Sequence, residues 1–176
     1  MKKIFTHFIL CTLLTLATTS CATAQPAANT ENTSVDALSP ALNYPDSQNW
    51  SERASEVLIN ALSLSGIRYK YGGNSPDTGF DCSGFVRYVF KQSTSLTLPR
   101  TALAMSQLGT SVPKSELQPG DLVFFNTLKS AFSHVGIYVG DNRFIHSPSG
   151  GGQVRVENMQ EGYWAKRFNG AQRIEQ

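Results

Sequence analysis

Apolar residues recur at helical spacing in the middle of the chain and at strand spacing in its last third. The first helical set predicts an amphipathic helix that ends near Ser65 and Gly66; its members are Ala54, Val57, Leu58, Ala61 and Leu62. A second helix is predicted to begin at Cys82, with Asp81 as its N-cap. Its apolar face consists of Phe85, Val86, Val89 and Phe90. A shorter third helix is predicted within residues 98–108.

Strand patterns follow the turn composition of residues 118–121. Residues 122–125 form a short apolar run, which predicts a buried strand. Val135, Ile137 and Val139 alternate with smaller or polar residues and predict a second strand, and residues 144–146 predict a third. Residues 154–157 and 166–174 predict two more. Helices first and antiparallel strands second indicate an α+β fold, with amino-terminal helices packed on a sheet of about five strands.

The hairpin predicted around residues 140–142 decides whether His134 and His146 can meet. The two positions are an even number apart, so a loop centred on Gly140 or Asp141 puts both side chains on one face. Centred on Gly140 they are directly opposite, with Cβ atoms about 4.5–5.5 Å apart. Centred on Asp141 they are diagonal neighbours. A two-residue turn at 141–142 would place them on opposite faces and separate them.

The amino terminus predicts export. Lys2 and Lys3 precede a short apolar stretch, the pattern of a signal peptide over residues 1–21. Residues 18–21 resemble a lipoprotein box with Cys21 as the lipidated residue, which would anchor an exported, periplasmic protein to the outer membrane. Cleavage after Ala24 is the alternative, because residues 22–24 form an A-x-A site. Residues 25–49 lack an apolar period and predict a disordered tether, and 50–176 predict one domain.

Charge excludes one class of partner. Lys plus Arg total 15 against 13 Asp plus Glu, and removal of Lys2 and Lys3 leaves a nearly neutral protein. No basic run interleaved with aromatic residues is present, so we predict no nucleic-acid partner.

The candidate chemistry is that of a thiol enzyme. Cys82 is the one cysteine outside the export segment, which contains Cys11 and Cys21, and His134 and His146 are the histidines outside it. An unpaired thiol in an oxidising compartment is either buried as a small apolar residue or used. One thiol and two imidazoles match the requirement for a nucleophile, a base and an orienting group.

Activation of the thiol needs more than a helix terminus. Lowering its pKa by two or three units requires about 3–4 kcal/mol, whereas a helix N-terminus supplies at most about 2 kcal/mol. We expect a nearby His134 imidazolium to supply the remainder, with His146 orienting the His134 ring. Tyr71 is a candidate oxyanion donor beside the Cys82 N–H, the alternative being an aromatic ring packed beneath a turn. Zinc binding by the same three residues is disfavoured, because no C-x-x-C or H-x-x-x-H spacing is present. No cofactor is predicted.

The motifs together resemble the NlpC family of papain-like cell-wall cysteine peptidases, in particular its murein endopeptidase lipoproteins. The resemblance covers residues 51–173, is loose from Gly162 onward, and rests on segments 71–73, 81–85, 98–101, 119–125, 133–138 and 144–146.

The resemblance implies a papain-like core and a Cys-His-His triad of Cys82, His134 and His146 that works through a thioester. It also implies Tyr71 near the oxyanion, and Asp81 and Ser83 near the amino end of the substrate. The implied partners are peptidoglycan stem peptides, cut between D-glutamate and diaminopimelate or at the D-alanyl cross-link. The alternatives are a non-catalytic peptidoglycan-binding lipoprotein of the same fold, and an amidase or acyltransferase that uses the same triad.

Overall fold

The structure is a computed structural model that describes residues 45–127, 130–150 and 152–174. The predicted signal peptide, Cys21 and most of the predicted tether lie outside the described residues. Among the described residues, no helix combines the length and apolar character needed to cross a membrane.

Two long helices come first. Helix α1 spans Pro45–Ser63 and begins inside the segment predicted as tether, four residues before its boundary at Asn49. Proline suits a first helical position because its missing N–H has no partner there in any case. After two short paired segments, β1 (Asn74–Ser75) and β2 (Gly79–Phe80), helix α2 spans Cys82–Thr94. Its predicted start and its buried apolar face are confirmed.

The predicted third helix is shorter than expected. Helix α3 spans Ala102–Met105 and is capped by the Thr101 hydroxyl, which accepts from the Ala104 N–H. Beyond Met105 the chain continues in tighter turns, because the N–H groups of Gln107 and Leu108 donate to carbonyls three residues back. Such bonds are usual where a helix ends.

The sheet has six antiparallel strands rather than about five. The additional strand is the two-residue β3 (Thr110–Ser111), which lies at one edge of the sheet. A short helix, α4 (Gly162–Ala165), precedes the last strand. The other strands are β4 (Leu122–Phe125), β5 (His134–Gly140), β6 (Arg143–His146), β7 (Arg155–Asn158) and β8 (Phe168–Arg173), in the spatial order β3 (Thr110–Ser111), β8, β4, β5, β6, β7. The α+β architecture predicted from the sequence is confirmed.

The β5–β6 hairpin brings the two histidines to one face although its turn is the two-residue turn expected to separate them. Gly140 pairs with Arg143, so the turn is the two-residue Asp141–Asn142, and both turn residues have positive φ. Such a turn alone would separate the histidines. A register shift between Tyr138 and Gly140 adds one residue to β5, so that Tyr138 faces Phe144. The bulge therefore returns both histidines to one face as diagonal neighbours.

The two faces of the sheet have separate cores. One face packs Val135, Ile137 and Ile145 against the apolar sides of α1 and α2. The other face carries a second cluster that includes Phe125, Phe144 and Trp164. Both histidines pack their rings against Trp164, so they belong to the face opposite the long helices.

Candidate active site

A cleft of about 590 Å³ contains most of the residues predicted for the site. Its walls come from the start of α2, the loop before β1, the segment around α3 and the start of β5. The site residues predicted from the sequence that line it are Tyr71, Asp81, Cys82, Ser83 and His134. His146 is fully buried behind His134 and contributes no wall.

Cys82 occupies the first residue of α2, where main-chain N–H groups lack helical partners. The main-chain N–H groups of Val135, Ser83 and Cys82 itself lie close enough to the sulfur to favour its charged form, that of Val135 most of all. Val135 directly follows His134, so this contact brings the sulfur to the start of β5. Three N–H donors around one sulfur favour negative charge there, although each is only a partial charge.

Asp81 holds the loops around Cys82 together. Its carboxylate accepts from the Gly84 N–H at 2.7 Å, which caps α2, and from the Gly72 N–H at 3.0 Å. The Arg100 guanidinium donates to both carboxylate oxygens, at 2.9 and 2.6 Å, and to the Ser83 hydroxyl at 2.9 Å. Asp81 is therefore an N-cap, as predicted, and also the centre of a network inside the cleft.

The loop before β1, which contains Gly72 and Gly73, lies against α2 because Gly84 has no side chain. A Cβ built on Gly84 would lie 2.0 Å from the carbonyl oxygen of Gly73, which also accepts from the Asp81 N–H. Glycine is unfavourable inside a helix, and here this close approach explains it. The contact fixes the position of the loop that carries Tyr71.

Tyr71 is 87% exposed, so the alternative that it packs beneath a turn is wrong. It stands at the rim of the cleft. Tyr69, a residue without a predicted role, also lines the cleft. Its pKa is raised, mainly by burial and next by the charge of Cys82.

His134 and His146 are in direct contact. Nε2 of His134 lies 2.7 Å from Nδ1 of His146, with the two rings nearly perpendicular. Because Nε2 of His134 is engaged with His146, Nδ1 is the ring nitrogen left to exchange a proton. Gly136 makes the contact possible, since a Cβ there would lie 3.1 Å from the His146 Cβ and 2.6 Å from the Phe144 ring.

Two residues without a predicted role complete the histidine side of the site. Glu157 on β7 lies 3.4 Å from Nε2 of His146 and accepts from Nε of Arg155 at 2.5 Å. The indole N–H of Trp164 donates to the same carboxylate. A charged residue on a strand next to a histidine-bearing strand is the sequence signal for Glu157, but the pairing of β6 with β7 was needed to use it.

The protonation states differ from those expected from the sequence. Burial, reinforced by the neighbouring His146, lowers the pKa of His134 to about 3, and burial also lowers the pKa of His146. Burial raises the pKa of Cys82 despite the N–H donors. The expected imidazolium that lowers the thiol pKa is therefore wrong for the free protein, in which desolvation favours a neutral thiol beside a neutral imidazole.

Metal ligation was the alternative use of the same residue types. Within residues 45–127, 130–150 and 152–174, no three His, Cys, Asp or Glu side chains form a group that could hold a metal ion.

Helices packed on an antiparallel sheet, with a cysteine at a helix start and a strand-borne histidine lining one cleft, define a papain-like α+β domain. The model of the NlpC/P60 family matches residues 66–173, and the chain belongs to that family.

Two relatives and one solved structure show the range of the likeness. The chain is 42% identical over 127 residues to Murein DD-endopeptidase MepH of Escherichia coli K12, covering 70% of this chain and 47% of MepH. It is 41% identical over 120 residues to Murein DD-endopeptidase MepS/Murein LD-carboxypeptidase of the same organism, covering 68% and 62%. The matched part therefore spans roughly half of each relative.

The crystal structure of an NlpC/P60 family protein from Bacillus cereus ATCC 10987 superimposes with a TM-score of 0.65 at 33% identity. The superposition covers 70% of this chain and 40% of that one.

Proposed function

We propose that this protein is an exported cysteine endopeptidase that hydrolyses amide bonds in peptidoglycan stem peptides or their cross-links. The observation that carries the proposal is a single cleft lined by Cys82 and His134, with His146 in contact behind His134 at 2.7 Å. The names of MepH and MepS support murein as the substrate class, and the D-alanyl cross-link as the bond to test first.

The reaction begins from the neutral pair. As Sγ of Cys82 attacks the substrate carbonyl carbon, its proton passes to Nδ1 of His134. The tetrahedral intermediate collapses when His134 returns that proton to the leaving nitrogen and the C–N bond breaks, which leaves a thioester. Water then attacks the thioester, again losing its proton to His134. Collapse releases a carboxylic acid product and regenerates the thiol.

The developing oxyanion has donors within the cleft. The Cys82 N–H, at the start of α2, is one, and the hydroxyl of the exposed Tyr71 at the rim is the second. Such donors lower the barrier because they are already oriented before charge develops on the oxygen.

Asp81 and Ser83 are proposed to lie at the amino end of the substrate. Both oxygens of Asp81 are engaged by Arg100, which is itself partly exposed in the cleft. A substrate amine approaching Asp81 therefore meets a neutralised carboxylate, which favours a peptide whose amino end is already acylated, such as an internal segment of a stem.

The mature protein is proposed to be held at the outer membrane through a lipid on Cys21. The position of this cysteine after the apolar stretch supports the proposal. Metabolic labelling with a fatty acid tests it, with Cys21→Ser as the variant that should lose the label. A protein that remains unlabelled would favour cleavage after Ala24.

The decisive experiment incubates purified protein with defined cross-linked muropeptides and identifies the products by mass. Cys82→Ala should lower turnover by at least about a thousandfold, since Cys82 is the free cysteine of the described residues and the proposed carrier of the acyl group. Cys21→Ser is the matched control, and in solution it should hydrolyse like the unaltered chain.

Two outcomes would contradict the proposal. Substantial hydrolysis by the Cys82→Ala variant would reject the nucleophile. Muropeptides that bind the unaltered protein without being cut would favour the non-catalytic wall-binding alternative, whereas transfer of the acyl group to an added amine would favour an acyltransferase.

A further inference from the structure

Glu157 is surrounded by hydrogen-bond donors. It lies on β7 two residues beyond Arg155, the residue paired with His146 across the β6–β7 ladder, so all three side chains share one face. One carboxylate oxygen accepts from Arg155, and the other from the Trp164 indole while it faces Nε2 of His146 at 3.4 Å. An ionised carboxylate only accepts, which determines what each neighbour must present.

The carboxylate selects one tautomer of His146. A protonated Nε2 points its hydrogen at Glu157, whereas an unprotonated Nε2 would point a lone pair at a negative charge. The 3.4 Å separation is longer than an ideal hydrogen bond, but the attraction or repulsion between these groups persists at that distance in a buried site. His146 is therefore neutral with its proton on Nε2, and its Nδ1 is an acceptor.

The tautomer of His146 in turn determines the tautomer of His134. The 2.7 Å contact between Nδ1 of His146 and Nε2 of His134 needs one proton, and His146 has none to give there. The proton is therefore on Nε2 of His134, which leaves Nδ1 of that ring unprotonated. The opposite tautomer of the pair would direct an N–H toward the thiol and could not accept its proton.

We infer that Glu157 is a positioning residue that, through His146, fixes the His134 tautomer able to take the proton of Cys82. The inference rests on the proposed function, because it gives His134 the role of base. Glu157 also counters the positive charge that His134 acquires during each half-reaction. At His146, Arg155 on the same strand opposes the effect of Glu157. Burial isolates this pathway from water, since His134 and His146 are 4% and 0% exposed.

The test reads tautomers directly in the full chain labelled with ¹⁵N-histidine. In the unaltered protein, NMR shifts should show Nδ1 unprotonated and Nε2 protonated in both His134 and His146. Glu157→Leu, which keeps bulk but removes the acceptor, should give mixed or inverted tautomers. Glu157→Gln keeps a carbonyl acceptor, so it should retain the tautomers while losing the charge. Glu157 and Glu161 both line a second cavity, beside the cleft. Glu161→Gln removes a carboxylate from that cavity and is the matched control.

Kinetics on muropeptides separate positioning from substrate contact. Glu157→Leu should lower kcat about ten- to a hundredfold with KM unchanged, Glu157→Gln should lower it several-fold, and Glu161→Gln should leave it unaltered. Unchanged tautomers in Glu157→Leu, or a rise in KM at constant kcat, would overturn the inference. If the Leu variant fails to fold, Glu157→Ala takes its place, and unchanged tautomers in that variant overturn the inference. Retained activity of Cys82→Ala would instead overturn the proposed function, whatever the tautomers show.

Discussion

The nucleophile half of the site, around the proposed nucleophile Cys82, is held by main-chain groups and by the Arg100–Asp81–Ser83 network, whereas the histidine half is held by packed side chains. Next to Cys82, the Asp81 carboxylate accepts from the Gly72 and Gly84 N–H groups, and the Asp81 N–H donates to the Gly73 carbonyl. On the histidine side, His146 from β6 and Trp164 from α4 contact the His134 ring, and Glu157 from β7 contacts both of them. The first half depends on local backbone conformation, and the second on the register of three strands.

This difference predicts different sensitivities. Main-chain contacts tolerate most side-chain changes nearby but no added atom at the points of closest approach. Ring contacts across strands tolerate little lateral movement, because a proton passes only between atoms at hydrogen-bond distance. Substituting one glycine in each half tests the comparison.

The largest effect is expected for Gly84→Ala in the nucleophile half. The new Cβ would lie 2.0 Å from the Gly73 carbonyl oxygen, a backbone atom that cannot rotate away. We expect a loss of about 2–4 kcal/mol in the free energy of unfolding and little remaining hydrolysis. Urea unfolding and muropeptide turnover measure the two. Gly162→Ala is the control, since a Cβ there meets nothing within 4 Å; equal stability of the two variants would reject the close-packed loop.

A smaller effect is expected for Gly136→Ala in the histidine half. The added methyl group would lie 2.6 Å from the Phe144 ring, 2.9 Å from the Ile145 carbonyl oxygen and 3.1 Å from the His146 Cβ; the ring can partly give way, and the main-chain approach is less severe than the 2.0 Å at Gly84. The stability loss should be about 1–3 kcal/mol, while turnover should fall about ten- to a hundredfold because His146 is displaced from His134. The ratio of lost activity to lost stability should exceed that of any surface glycine variant. A drop in stability with normal turnover would show that the ring contact is not needed.

The same division explains what the sequence could predict. The N-cap at Asp81 and the start of α2 follow from one local motif and its 3.6-residue period, and both are confirmed. The strand 122–125 is short and wholly apolar, and its bounds are also confirmed. These elements need only nearby residues to form, so a pattern in a short window is sufficient.

The histidine half depends on features that no short window contains. A two-residue turn at Asp141–Asn142 would by itself place the two histidines on opposite faces. The bulge at Val139 that compensates for it belongs to the pairing of β5 with β6. Glu157 and Trp164 approach the histidines only after β7 pairs with β6 and α4 folds over the sheet. The direction of the pKa shifts was also missed, because it depends on burial that a sequence does not display.

The most gradual effect concerns stability in acid, which should arise mainly from the histidine half. His134 has a pKa lowered to about 3 in the folded protein from an ordinary value of 6.5, and the pKa of His146 is lowered in the same direction. As the pH falls below 6.5, the unfolded chain binds protons that the folded protein cannot. Stability is therefore present above pH 6.5 and declines toward pH 3. Glu157, with its pKa lowered to about 2 from 4.5, adds a further decline below pH 4.5.

Urea unfolding at a series of pH values between 7.5 and 4 measures this dependence. Each histidine that stays unprotonated in the folded state contributes a slope of at most about 1.4 kcal/mol per pH unit. His134→Gln should remove one such contribution and flatten the curve, whatever its effect on stability at pH 7.5. Gly84→Ala should lower the whole curve without changing its slope, because it leaves both imidazoles buried. If the Gln variant keeps the full slope, the buried rings are not the source of acid sensitivity, and the two halves of the site do not differ in the way their contacts indicate.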